Sequence, residues 1–113
     1  MMNNQATIDI FIPIKGKTGQ NASVKRKFIS DFLQISNITK YKTREFNLYA
    51  NIVFHFTQKC NGDIDNLIKS LFDSIQKAGI IKNDKQIKKM YIEIQENSLI
   101  EGISLKLVKL SSQ

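Results

Sequence analysis

The 113-residue chain reads as an α+β protein: one domain over residues 1–113, a mixed β-sheet with two helices packed on it, in the order β-α-β-α-β-β. Three observations carry that reading. Residues 6–14 and 45–57 alternate apolar and polar side chains, as half-buried strands do. Two further stretches, opening near Ser23 and Ile64, repeat apolar residues in steps of three and four, the helical period. No internal repeat, low-complexity tract or linker divides the chain, and its length suits a single core.

The first strand places Ala6, Ile8, Ile10, Ile12 and Ile14 on one side, and Pro13 marks an edge position or a strand end. The basic loop Lys15-Gly-Lys-Thr-Gly19 lacks the earlier glycine of a nucleotide-binding loop, so phosphate contact by Lys15 and Lys17 is the better functional reading. A helix is expected over Ser23–Ser36, capped by Ser23 and buried through Val24, Phe28, Phe32 and Ile35, with Ile29 and Leu33 beside them. Lys25, Arg26 and Lys27 crowd its start, where positive charge opposes the helix dipole; a solvated first turn and an anionic partner both explain them. A second basic patch follows at Lys40, Lys42 and Arg44. In the strand Glu45–Thr57, even-numbered residues from Phe46 to Phe56 face the core, with Val53 the one exception on the polar side. His55 on that polar side is either a general base or an ordinary strand residue.

The central stretch is GDIDNLIKSLFDSIQKAGIIKNDKQ, Gly62 to Gln86. Ile64, Leu67, Ile68, Leu71, Phe72, Ile75 and Ala78 form one helical stripe, and Gly79 follows where a left-handed stop is wanted. Asp63 and Asp65 lie before that helix or on its first turn. They form a two-carboxylate claw only if the chain is still extended there, with residues two apart sharing a side at about 6.6 Å. A return path from Gly79 to Asp84 covers about 17 Å, against about 18 Å of helix, so Asp84 can reach the helix start. Lys69 lies one turn beyond Asp65 on the same face. Carboxylates beside a lysine, in a chain with one His and one Cys, suit a hard cation and an oxygen-rich substrate. The plain alternatives are acids capping a helix, a turn residue at Asp84, and a solvated charge row through Lys69, Asp73 and Lys77.

After this helix, Ile87–Gln95 and Ile103–Leu110 read as a terminal hairpin turning near Glu96–Gly102. Lys82, Lys85, Lys88 and Lys89 crowd around Asp84, a placement suited to phosphates.

The formal net charge is +7, and the excess is uneven: residues 1–62 hold nine Lys/Arg against three acids, residues 63–113 eight against seven. A basic half beside an acidic cluster suits a polyanion held by one surface and processed at another. No apolar run approaches the roughly 18–20 residues that cross a bilayer, the start lacks a signal-peptide pattern, and Cys60 has no second cysteine to pair with; the expected setting is cytoplasmic.

The run Asp63-Ile64-Asp65-Asn66-Leu67-Ile68-Lys69, then Asp73, Gly79, Asp84 and Gln86, resembles the signature of the RusA family of Holliday-junction resolvases. The likeness is specific over about residues 62–94. It implies a RusA-like fold and an endodeoxyribonuclease that resolves four-way DNA junctions by paired symmetric nicks. It implies Mg²⁺, with Mn²⁺ a possible substitute, bound by Asp63, Asp65 and Asp84. Lys69 would be the catalytic lysine, Asn66, Asp73 and Asn83 supporting positions, and the active form a homodimer. Lys15, Lys17, Lys25, Arg26, Lys27, Lys82 and Lys85 are the expected DNA contacts. Asn83 departs from the pattern, since the family usually has two aspartates at the third site. The alternative is a non-catalytic nucleic-acid-binding or regulatory protein with a decayed metal site.

Overall fold

The computed structural model describes residues 6–13, 29, 31–33, 46–57, 59 and 64–110. Its elements are β1 (Ala6–Pro13), a helix α1 described at residues 29 and 31–33, β2 (Leu48–His55), α2 (Ile64–Lys77), a 3₁₀ turn (Asp84–Gln86), β3 (Ile87–Gln95) and β4 (Gly102–Lys109). The α+β class and the mixed sheet stand as expected.

The strands lie in the order β1-β4-β2-β3. β4 is antiparallel to both β1 and β2, whereas β2 and β3 are parallel. The expected terminal hairpin is therefore corrected: β3 and β4 are not neighbours, because β2 lies between them. His55 at the end of β2 sits between Gln95 on one side and Gly102 on the other. The segment from Glu96 to Glu101 steps over that end, a lateral gap of about 9.6 Å that six residues span easily. Burial explains the insertion. Leu48, Ala50 and Ile52 are fully buried, and the strand carrying them gains a ladder on each edge in the sheet interior. The parallel β2–β3 pair requires a long crossover, which α2 supplies.

One face of the sheet carries the core. Ile8 and Ile12 of β1, Leu48 to Phe54 at alternate positions of β2, and Ile103, Leu105 and Leu107 of β4 join Ile29 and Leu33 of α1 and Leu71, Phe72 and Ile75 of α2 in a single cluster. Both helices thus cover the same face. On the opposite face Val53, the exception to the alternation of β2, pairs across the strands with Ser104 and Glu93 and is half-buried.

β2 is shorter than the expected Glu45–Thr57, because its ends leave the ladder. The Phe46 carbonyl accepts from the Gln86 side chain at 2.7 Å, and the Phe56 carbonyl accepts from the Ser98 amide at 2.8 Å. α2 ends as its sequence requires: Gly79 has φ +86° and the Ile80 amide bonds the Ile75 carbonyl at 3.0 Å. Its first turn differs from expectation, since Ile64 is 41% exposed and the buried stripe begins with Leu67.

Candidate active site

Two short segments present the expected site residues: the first turns of α2 and the 3₁₀ turn before β3. Helix α2 begins at Ile64, so Asp65 stands on its first turn and not in extended chain. The side-by-side extended arrangement of Asp63 and Asp65 therefore does not hold at residues 64 and 65. An acid on a first turn is favoured by the amide dipoles that converge there. Asn66, Lys69 and Asp73 follow on the same helix, and all three are exposed. Asp65, Lys69 and Asp73 are four residues apart and form one solvent-facing row.

The 3₁₀ turn is held by two side chains. Asn83 is its N-cap: the side-chain Oδ1 accepts from the Lys85 amide at 2.8 Å. Gln86 completes a capping box, its Oε1 accepting from the Lys82 amide at 2.7 Å and the Asn83 amide at 3.2 Å. The other end of the same amide, Nε2, donates to the Phe46 carbonyl at 2.7 Å. Asp84 opens the turn, its carbonyl accepts from the Ile87 amide, and its side chain is exposed. Lys82 and Lys85 on either side of it are exposed as well. The capping roles of Asn83, expected only as a supporting position, and of Gln86 were not assigned by the motif reading. The signal was present as a capping-box spacing, Asn followed three residues later by Gln.

Topology sets the relation between the two segments. β3 begins beside Leu48, the start of β2, and ends beside His55, the end of β2. In a β-α-β crossover the helix packs back across the sheet from the end of one strand to the start of the next. The 14 residues of α2 cover about 21 Å of that distance. Asp65 accordingly belongs to the His55 end of the sheet and Asp84 to the Leu48 end. Among the described residues, no group of three His, Cys, Asp or Glu side chains is placed to hold a metal ion. Asp63 lies outside the described residues, as do Lys15, Lys17, Lys25, Arg26 and Lys27, the patch Lys40–Arg44, and Cys60.

His55 lies on the open face, its Nε2 2.8 Å from Ser104 Oγ and its ring centroid 5.7 Å from that of Phe11. It borders an open cavity of about 660 Å³ that the loop Glu96–Ile100 also lines.

These features define a class of protein that the family comparison identifies. The sequence pattern of the family described as Endodeoxyribonuclease RusA matches residues 3–107, and the chain belongs to that family. Among curated proteins it is similar to Crossover junction endodeoxyribonuclease RusA of Aquifex aeolicus (strain VF5), with 32% identity over 63 residues. The match covers 56% of this chain and 50% of that protein, so the chain spans about half the length of the relative it matches. No helix among the described residues is long and apolar enough to cross a membrane.

Proposed function

We propose that the chain is a Mg²⁺-dependent, structure-selective endodeoxyribonuclease that resolves four-way DNA junctions by paired symmetric nicks. The observation that carries this reading is the pairing of a family match over residues 3–107 with exposed carboxylates at both motif segments, Asp65 and Asp84. A hard divalent cation takes oxygen ligands of this kind, and Asp63, Asp65 and Asp84 would hold it. When bound, it would supply Lewis-acid stabilisation of charge developing on the phosphate and lower the pKa of an attacking water. Lys69, one turn from Asp65, would neutralise phosphate charge or orient the water or leaving oxygen. The flanking cations Lys82 and Lys85 would bind the DNA backbone without reading its sequence.

The active form would be a twofold homodimer. A four-way junction has near-twofold symmetry, and two equivalent sites yield two matched cuts. The crossover supports the same conclusion, since it assigns Asp65 and Asp84 of one chain to opposite ends of the sheet. A site built from Asp63 and Asp65 of one chain and the partner subunit's Asp84 needs no long loop to close.

Asn83 bears on the non-catalytic alternative. Its side chain caps the 3₁₀ turn, a task that Asn and Asp perform about equally well. The departure from the family pattern thus keeps the cap of the turn, which supports the catalytic reading over a decayed site. The deciding experiment is cleavage of synthetic four-way junctions with and without Mg²⁺, comparing the wild type with Asp65→Asn. Metal-dependent paired nicks lost in the variant, with junction binding kept, are expected; a wild-type chain that binds junctions without nicking them would overturn the nuclease reading.

A further inference from the structure

We propose that Leu99 and Ile100, at the tip of the loop joining β3 to β4, form an apolar wedge that enters the branch point of a four-way DNA junction and unstacks a base there. This role rests on the nuclease reading and supplies its preference for branched over continuous DNA. Leu99 is 97% exposed, more than any other large apolar side chain among the described residues, and Ile100 beside it is 59% exposed. Apolar side chains left in water at one point mark a surface that something else covers.

The backbone under this tip is anchored. Asn97 takes φ +60°, a left-handed conformation that asparagine tolerates, and so turns the chain back. The Ser98 amide then donates to the Phe56 carbonyl at 2.8 Å, and the Phe56 amide donates to the Gln95 carbonyl at 2.8 Å. Ser98 Oγ adds a longer bond to that same Gln95 carbonyl at 3.4 Å. Leu99 therefore starts from a fixed position, and little ordering entropy opposes its insertion.

Position and chemistry select the occupant. Phe56 directly follows β2, on the path to the first turn of α2 that carries Asp65. Wedge and carboxylate thus share the His55 end of the sheet. The loop from residue 96 to 101 reads ENSLIE, two acids with no lysine or arginine, which is unsuited to phosphates and leaves the bases between them. Leucine and isoleucine are among the side chains that proteins insert between base steps. Continuous duplex resists such insertion, whereas stacking is already interrupted at a branch point and the cost there is smaller. Behind the tip, the open cavity of about 660 Å³ is bordered by His55 and by Phe11, itself 39% exposed. A displaced base has room there and a ring to stack on. Two side chains make too small a patch for a stable protein interface, which takes about 20–30 residues a side.

The test uses junctions carrying 2-aminopurine at the branch point, whose fluorescence rises when the base unstacks. Divalent metal is left out, so that binding is read apart from cutting. The wild type should raise the signal at saturation. Leu99→Ser with Ile100→Ser should not raise it, yet should melt with the wild type and bind plain duplex equally well. In Mg²⁺ that variant should nick junctions about tenfold or more slowly, since it no longer offsets the unstacking. Leu99→Phe should keep both signal and nicking, and Leu99→Ser alone serves should the double variant not fold. A wild type that saturates the junction without unstacking, or a serine variant that unstacks as the wild type does, overturns the wedge. A serine variant that alters self-association without DNA, its junction signal unchanged, assigns the tip to a protein contact and overturns it too. The nuclease reading fails separately, by unstacking without nicking in Mg²⁺; a wild type that binds no junction sinks both.

Discussion

The side chain of Gln86 donates to the carbonyl of Phe46, forty residues earlier, at 2.7 Å. Its other end holds the amides of Lys82 and Asn83, so one residue fastens the turn carrying Asp84 to the start of β2. Gln86→Ala should cost about 1–2 kcal/mol, since a half-buried amide loses several partners at once. Thermal denaturation measures that loss. Junction nicking should fall further than stability does, because Asp84 loses its placement. Gln86→Glu keeps the acceptor but not the donor and should fall between the two.

Asn83 separates capping from metal chemistry. Asn83→Asp should leave the melting temperature nearly unchanged, because either residue accepts from the Lys85 amide. Asn83→Ala should cost about 1 kcal/mol. A large loss in the Asp variant would mean that the Asn83 amide group does more than cap the turn.

Gly102 shows close approach at the His55 end of the sheet. A Cβ there would stand 2.6 Å from the Ile12 carbonyl oxygen and would meet the Phe11 ring. Gly102→Ala should destabilise by about 1–3 kcal/mol in a denaturant titration. Adding Phe11→Ala should recover only part of this, since the ring can move aside and the backbone oxygen cannot.

The Tyr91–Glu93 contact predicts a pH window. Hydrogen bonds from Gln95, and then Tyr91, hold the Glu93 carboxyl below its usual value. The same hydrogen bond to Glu93, and then its charge, push the Tyr91 phenol up. A lowered carboxyl stabilises above its unfolded pKa, and that contribution is lost as pH falls through the folded value. A raised phenol stabilises below its unfolded pKa, and that contribution is lost as pH rises through the folded value. The contact therefore contributes between the two limits. A carboxyl-detected NMR titration should show Glu93 moving up toward its ordinary range in Gln95→Ala and by less in Tyr91→Phe; the reverse order would contradict these causes.

A shared site predicts complementation. Asp65→Asn and Asp84→Asn should each be inactive alone. Mixed after subunit exchange, half of the dimers hold one intact site, giving about a quarter of wild-type sites and nicks on one strand only. No recovery in a mixture shown to contain heterodimers would place both carboxylates within one chain.

Local chemistry was legible in the sequence wherever near neighbours decide it. The alternation of Leu48 to His55, the stripe from Leu67 to Ala78 and the stop at Gly79 appear in the fold as the periods and the glycine require. The motif from Asp63 to Gln86 likewise pointed to the family, because its chemistry is written in residue types at short spacings. Where β2 goes was not written there. Ile87–Gln95 and Gly102–Lys109 look like hairpin partners when only sequence distance is considered, yet both pair with β2. That choice depends on burying the most apolar strand between two neighbours, an energy belonging to the whole sheet and not to any pair of adjacent segments. The crossover it imposes assigns Asp65 and Asp84 to different ends of one chain, so tertiary topology alone decided that relation.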